Sequence, residues 1–378
     1  MKHLTLLIAT LLISFGAMAQ NYEYDFASVC SSGQTLYYKI LSSNPPQAEL
    51  RFGVPSMPGS DLIIPEMAAD TTNTFRLYEV VSVADEAFSD YSYEEEGTLV
   101  IANTVRSIGD HAFYWQGFTS LTLSESLESI GKEAFFGCSK MTGPLVIPQS
   151  VSSISEGAFN WCSFTSLEWQ SQMAEIPNST FYGCQFSGTL TLPEGLTKIG
   201  NEAFTSCRNL PGLELPSTLN SIGDMAFTGC SSLTFIKTDA VTPPYCTGST
   251  FSAVDTSIPV YVPFGTKPLY EADYVWGRFT NIIDDPDAVE EFENDGFEIY
   301  PNPATNAFRV TANDVEGRQA VLSVYNIVGQ RMMMQKSTVN GRMVQFDVAE
   351  TLPSGLYLIV LQTEETVRTG KLIYGPAH

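Results

Sequence analysis

Histidine is almost missing from this chain. Among 378 residues there are three, His3, His111 and His378. Histidine is the usual general base and a frequent metal ligand, so a Ser-His-Asp or Cys-His arrangement is close to excluded, and zinc would have to rely on cysteines. His111 stands in a slot that holds Glu133 and Glu202 elsewhere in the chain, which reads as a solvated turn position. Base is scarce as well: Lys and Arg total 19 against 42 Asp and Glu, a formal charge of -23. A nucleic-acid binder must neutralise phosphates with clustered Lys and Arg, so nucleic acid is not an expected partner, and adhesion to anionic lipid is disfavoured. No glycine-rich nucleotide loop and no calcium-loop spacing of acids occurs in the sequence.

Long apolar runs are confined to one place. Lys2 and His3 precede an apolar stretch from Leu4 to Phe15, and the small-residue sequence Ala17-Met18-Ala19 follows. That is the grammar of a secretory signal peptide over residues 1–19, with the mature chain starting near Gln20. The stretch is shorter than the roughly 20 residues a membrane helix needs, and no later segment supplies one, so no membrane insertion is expected. A lipoprotein would carry cysteine directly after Ala19. The first cysteine is Cys30, so lipid anchoring there is not expected.

What the sequence does have is a repeat. Phe88, Phe113, Phe135, Phe159, Phe181, Phe204, Phe227 and Phe251 follow one another at 25, 22, 24, 22, 23, 23 and 24 residues. Five positions before each of the first seven Phe residues stands a branched aliphatic residue: Val83, Ile108, Ile130, Ile154, Ile176, Ile199 and Ile222. Eight before it is another apolar residue, from Val80 to Leu219. Fourteen and twelve before it are pairs such as Leu99 and Ile101, Leu145 and Ile147, or Leu213 and Leu215. Three after it is cysteine in five consecutive units: Cys138, Cys162, Cys184, Cys207 and Cys230.

Apolar residues two apart mark a strand with one buried face, and Pro148, Pro193 and Pro216 end three of these strands. The second apolar pair, with Gly109, Gly131, Gly200 and Gly223 behind it, reads as a second short extended segment closed by a tight turn. The Ala-Phe-x-x-Cys element reads as a single helical or three-ten turn with its Phe inward. One unit cannot bury its apolar face alone; stacked, each covers the next, and the Phe, Ile and Leu positions become columns. The expected fold is mostly β: a leucine-rich-repeat solenoid of short strands plus single helical turns, repeat about 23 residues, followed by a small all-β sandwich.

The wording of the units, "LESIGKEAFFGCSKM", "LTKIGNEAFTSCRNL" and "LNSIGDMAFTGCSSL", closely resembles the BspA-like leucine-rich-repeat family of bacterial surface proteins. The resemblance covers about residues 76–283. "TLYYKIL" through "DLIIPEM", within residues 20–75, looks like the family's amino-terminal β-hairpin cap, and "TPPYCTGSTF" through "GRFTNI" looks like its closing unit. Residues 284–296 carry Asp284, Asp285, Asp287, Glu290, Glu291, Glu293 and Asp295 with no base, which reads as a solvated acidic linker.

Beyond it, residues 297–378 show about seven short alternating segments with turn signals, the pattern of a β-sandwich. "YPNPATNAFRV", with Tyr300, Pro301, Asn302 and Pro303, "LSVYNIVGQ", with Gly329, "LPSGLYLIVLQ", with Gly355 and Tyr357, and the closing "KLIYG", with Lys371, together resemble the carboxy-terminal sorting domain of the type IX secretion system. The resemblance implies handling by the type IX secretion machinery, passage through the periplasm and outer membrane, removal of the tail, and surface attachment or release in a bacterium of the Bacteroidota. The linker before Phe297 is the expected cleavage region.

Several side-chain groups invite chemistry. The five cysteines have three readings: metal ligands, disulfides or packed thiols. Their spacing sets them in one column, whereas zinc needs four ligands around a point, and burial statistics favour packed thiols. Asp110, Glu133, Glu156, Glu202 and Asp224 recur at similar turn positions; recurrence argues for a solvated face, since an active site is needed once. Two positions after each Phe the residue is normally small, as in Gly137, Gly183, Ser206 and Gly229, yet Trp115 and Trp161 occupy two of these slots. With Tyr114 and Tyr182 they form either an aromatic contact strip, of the residue types that dominate hot spots and stack on sugars, or a cover over the turn edge. The outward strand row, on the expected concave side, reads Val100, Thr122, Val146, Glu168, Thr191 and Glu214 and names no ligand.

No cofactor or metal is expected, and no catalytic residue is assigned. The expected protein is a nonenzymatic, monomeric adhesion protein on the outer cell surface, and the resemblance implies that its solenoid binds host or bacterial surface or matrix proteins. The second reading is a glycan-binding or nutrient-capture accessory protein; the third, an enzyme, would need a deep pocket with convergent acids.

Overall fold

The computed structural model describes residues 23–375, apart from 55–60, 73–74, 90–96, 264–265, 286–296, 301, 303, 305–306, 313–318, 327–329, 339–342, 348–351 and 364–366. The signal-peptide reading, most of the acidic linker, Pro301, Pro303 and Gly329 therefore lie outside the described residues. The chain divides into two compact units, one running as far as Thr234 together with Tyr245–Asp255, the other made of Phe235–Pro244 and the chain from Thr256 onward.

The first unit is a β-solenoid. It opens on an antiparallel meander, Phe26–Val29, Thr35–Ser43 and Pro46–Val54, whose alternate residues Leu36, Tyr38, Ala48 and Leu50 are wholly buried. Pro46–Val54 then pairs in parallel with Arg76–Val83, so the meander covers the end of a ladder that each repeat extends. Ser107–Ile108, Ser129–Ile130 and Ser153–Ile154 follow in register, with Ile108, Ile130 and Ile154 side by side. Ile176, Ile199 and Ile222 align the same way in a further sheet. The other strand of each repeat forms parallel ladders of its own: Leu62–Ile64 with Thr98–Ile101 and Ser120–Thr122, Pro144–Ile147 with Ser166–Trp169, and Leu190–Thr191 with Gly212–Leu215.

Between these strands runs the Phe column. Successive rings from Phe88 to Phe251 stack at centroid distances of 5.1–5.9 Å, close to parallel. Six of the eight, from Phe113 to Phe227, are fully buried. Burying one such ring is worth roughly 1.5–3 kcal/mol. The turn carrying each Phe is closed by i to i+3 bonds, as from the Cys138 N–H to the Phe135 carbonyl at 3.3 Å. It also has a ladder of its own: the N–H groups of Phe113, Phe135, Phe159 and Phe204 donate to Ala134, Ala158, Thr180 and Ala226 of the following repeats at 2.7–3.0 Å.

The glycines behind the Ile column open the expected tight turn, the Gly131 and Gly223 carbonyls accepting the N–H groups of Ala134 and Ala226 at 3.4 and 3.3 Å, and they have a second cause. A Cβ on Gly131 would stand 2.4 Å from the backbone carbon of Gly109, and one on Gly223 would stand 2.5 Å from that of Gly200. At these glycines the repeats meet backbone to backbone, closer than a Cβ allows, while Ser155 and Pro177 hold the same slot in the repeats of Phe159 and Phe181.

In the second unit, Phe235–Thr238, Pro259–Pro263 and Asn281–Asp285 pair in parallel. The helix Lys267–Ala272 and the three-ten turn Trp276–Arg278 bring Tyr270 and Trp276 into full burial. Tyr270 donates its hydroxyl to the Ala240 carbonyl at 2.6 Å and Trp276 its indole N–H to that of Pro244 at 2.9 Å. The last strand takes in Asp284 and Asp285, assigned above to the acidic linker, because Asp285 pairs with Lys237 at 3.1 Å.

The remainder of this unit has two antiparallel sheets. Phe297–Tyr300, Ala307–Ala312 and Met343–Asp347 make one; Arg331–Thr338, Gln319–Asn326, Gly355–Gln362 and Val367–Tyr374 make the other. Phe308 and Val310 of the first pack with Leu322, Val324, Ile359 and Leu372 of the second in one core.

Candidate binding surface

Trp115 and Trp161 stand on the turn edge of the first unit and are 53% and 51% exposed. Both have φ of +58°, a left-handed conformation that is uncommon for a bulky residue. Other slots of this column hold Gly137, Gly183 and Gly229, also at positive φ, Ser206 at +60° and Ala253 at +63°. The alternation has a steric reason. A Cβ on Gly137 would fall 2.7–3.1 Å from the central atoms of the Trp115 indole, and one on Gly183 would fall 3.1 Å from that of Trp161. Each indole thus lies flat across the glycine of the next repeat.

The neighbouring rings gather around the indoles in two groups. Tyr114 stacks on Phe136 at 5.0 Å, Trp115 meets the same Phe136 at 6.0 Å, and the His111 ring sits 5.4 Å from Tyr114. Trp161 and Tyr182 lie 5.5 Å apart. Of the four aromatics picked out above, the structure pairs Tyr114 with Trp115 and Trp161 with Tyr182. Phe136 was overlooked, although it follows Phe135 as Tyr114 follows Phe113 and Tyr182 follows Phe181, and that shared offset was a usable signal.

On the strand face, Thr122, Val146, Glu168 and Thr191 are exposed while Val100 and Glu214 are half-buried. A cleft of about 770 Å³ opens here, lined by Leu121, Thr122 and Leu123 on one side and Pro144, Val146 and Pro148 on the other. It lies where the ladder lapses between Ser120–Thr122 and Pro144–Ile147. Pro144 has no N–H to offer that edge. A neighbouring cleft of about 740 Å³ is lined by Glu79, Arg106, Glu125 and Glu128.

Of the acidic turn residues, Asp110, Glu133 and Asp224 have side-chain partners. The Asp85 carboxylate accepts the Asp110 N–H at 2.8 Å, and the Asp110 carboxylate accepts the Lys132 N–H at 2.6 Å. Asn178 and Asn201 serve the next repeats in the same way. Asp224 accepts the hydroxyls of Thr247 and Ser249, which lower its pKa. His111 has φ of +53° and reaches Glu133 at 3.3 Å.

The five thiols form a column. Cys138, Cys162, Cys184, Cys207 and Cys230 each donate to the carbonyl of the preceding repeat's Phe, at 3.1–3.4 Å. Burial raises the pKa of Cys162, Cys184 and Cys207 and pushes that of Cys230 up to about 12. Among the described residues no group of three or more His, Cys, Asp or Glu is placed to hold a metal ion, and no helix is long and apolar enough to cross a membrane.

In the tail, Asn302 donates to the Lys371 carbonyl at 2.9 Å and accepts the Ile373 N–H at 2.7 Å. Tyr357 donates to the Pro353 carbonyl at 2.6 Å. Gly355 opens its strand opposite Tyr374, while Tyr300 is exposed.

A BspA type leucine-rich repeat region matches in six copies over residues 81–162 and 106–234, and a secretion system C-terminal sorting domain matches residues 298–374. Residues 81–234 thus carry BspA-type leucine-rich repeats, and residues 298–374 a sorting domain. That domain points to export and attachment at the outer cell surface. Solved structures similar to this BspA-type chain include a leucine-rich cell surface protein from Faecalibacterium prausnitzii, 16% identical over 70% of this chain and 97% of the other, TM-score 0.37. A leucine-rich repeat protein from Bacteroides capillosus is 22% identical over 38% of this chain and 99% of its own, TM-score 0.31. Another from Bacteroides ovatus is 16% identical over 66% and 80%, TM-score 0.27. No curated protein matches the chain.

Proposed function

We propose that this BspA-type protein is a nonenzymatic adhesion protein of the outer cell surface, acting as a monomer whose solenoid contacts host or bacterial surface and matrix proteins. One observation carries the reading: the inner Phe positions are spent on stacking against the next repeat, while Thr122, Val146 and Glu168 of the outward strand row are exposed, and the same chain carries an export tail. A surface of that kind offers many weak contacts to a macromolecule. Within this reading residues 1–19 are the signal peptide, 20–75 the cap, 76–285 the solenoid with its closing unit, 286–296 the linker that is cut, and 297–378 the sorting domain handled by the type IX machinery. The test is adherence of cells with and without the gene to immobilised host matrix proteins and to other bacteria. The reading expects adherence to drop in the deletion strain and to return with the full-length gene; unchanged adherence to every surface contradicts it.

A second reading, saccharide capture, is supported by the two exposed indoles on the turn edge.

A further inference from the structure

We infer that Trp115 and Trp161 form a two-platform site for a neutral, extended β-linked saccharide chain, laid along the turn edge. The inference rests on the reading of this protein as a surface-binding protein and adds to it a site and a ligand chemistry distinct from the protein contacts of the strand face.

The fold does not need indoles at these positions. Gly229 holds the same slot over Ser206, whose hydroxyl a Cβ there would meet at only 3.5 Å, and glycine adopts the positive φ without strain. Ser206 and Ala253 adopt the same positive φ in this slot, so the conformation belongs to the repeat and the bulky indole is what sets these two positions apart. Each ring has one face against a glycine, Gly137 or Gly183, and half of the residue remains open to solvent. An indole fixed flat in this way cannot swing into a neighbour's pocket, as a protein hot-spot residue does. It presents a face instead. The electron-rich face of an aromatic ring attracts polarised C–H groups, and the axial C–H face of a pyranose supplies them while its hydroxyls stay hydrated.

Spacing selects the polymer. Two repeats separate the indoles, and the Phe rings of the same repeats advance by 5.2 and then 5.3 Å, so the platforms are about 10 Å apart, two strand spacings. In an extended β-1,4-linked hexose chain, alternate sugars present the same face at about two sugar lengths. One indole then carries a sugar and the other carries its second neighbour. The formal charge of -23 and the carboxylates of Glu133 and Glu156 near this edge select an uncharged chain over a sulfated or uronic one.

The experiment is titration of the full mature chain with cellohexaose and β-1,4-mannohexaose, read by tryptophan fluorescence and calorimetry, with cellobiose and maltohexaose for comparison. A β-linked hexasaccharide is expected to bind at least tenfold more tightly than cellobiose, which cannot reach both indoles, and more tightly than the coiled α-linked maltohexaose. W115G/W161G is expected to lose binding at least tenfold while unfolding at the same urea concentration as the parent or higher. The proposal is overturned if neither β-linked hexasaccharide binds, if the double variant binds as well as the parent, or if maltohexaose binds best. A double variant that loses stability together with binding also overturns it, since the indoles would then be structural covers. Adherence to host proteins with no saccharide binding would defeat this inference and leave the adhesion reading standing.

Discussion

The indole of Trp115 lies across Gly137 of the following repeat, so close that a methyl group on that glycine would stand 2.7 Å from its Cδ2 atom. Gly137 also has φ of +75°. Gly137→Ala therefore meets two obstacles, a left-handed backbone and an occupied space, and should cost about 1–3 kcal/mol. Urea unfolding checks the cost, and a change in native tryptophan fluorescence should accompany it. Gly143→Ala is the control: its φ is +81° with open space around it, so it carries the backbone term alone.

The Phe column should be most sensitive at its middle. Phe159 stacks on Phe135 at 5.3 Å and on Phe181 at 5.9 Å, so Phe159→Ala opens a cavity with rings on both sides and should cost about 3–5 kcal/mol. Phe251 stacks on Phe227 at 5.7 Å and is 4% exposed where Phe159 is wholly buried. Phe251→Ala should cost less in the same urea series.

The thiol column sets an alkaline limit. Buried Cys162, Cys184, Cys207 and Cys230 have pKa values raised above the ordinary 9.0. The folded state thus holds protons that the unfolded chain releases. Their contribution to stability is complete below pH 9 and is lost as pH rises from there through the folded values. The urea midpoint should fall above pH 9, and a Cys184→Ala, Cys207→Ala variant should show a shallower fall. At pH 8 the five thiols should resist a water-soluble thiol reagent in the native state and react once urea is added.

The acid limit comes from both ends of the repeat array. Hydrogen bonds from Thr98 lower the pKa of Asp61, and hydroxyls of Ser249 and Thr247 lower that of Asp224, each from an ordinary 3.8. A depressed carboxylate contributes stability above its unfolded pKa and loses it as pH falls through the folded value. Unfolding midpoints should decline below pH 4, and Asp224→Asn should flatten part of that decline.

The columns were legible in the sequence because stacking forces one residue type to recur at one offset: Phe, Ile, Leu and Cys each occupy a slot that only an inward side chain fills. Strand positions followed from the two-residue period for the same reason. The turn ladder was not legible. Its left-handed positions hold His111, Glu133, Glu202 and Met225, residues that carry no conformational signature of their own, and the bonds that fix them run to a different repeat. The glycines at 131 and 223 were visible as turn residues, but their second duty was not, since a close approach between repeats leaves no mark on either repeat alone. The aromatic edge was half legible: Trp115 and Trp161 stood out as departures from a small-residue slot, while Phe136 was hidden beside the core Phe135. The strand end at Asp285 was masked by its acidity, because its partner Lys237 is remote in sequence.

Labelling of intact cells with an antibody to the repeats tests the surface-display claim most directly, comparing the full chain with one truncated before Phe297. Strong labelling of cells expressing the full chain, abolished by the truncation with the repeats retained inside, is the expected result. Repeats that stay inside the cell with the tail present, or reach the surface equally well without it, would contradict the assignment of this chain as an exported surface protein.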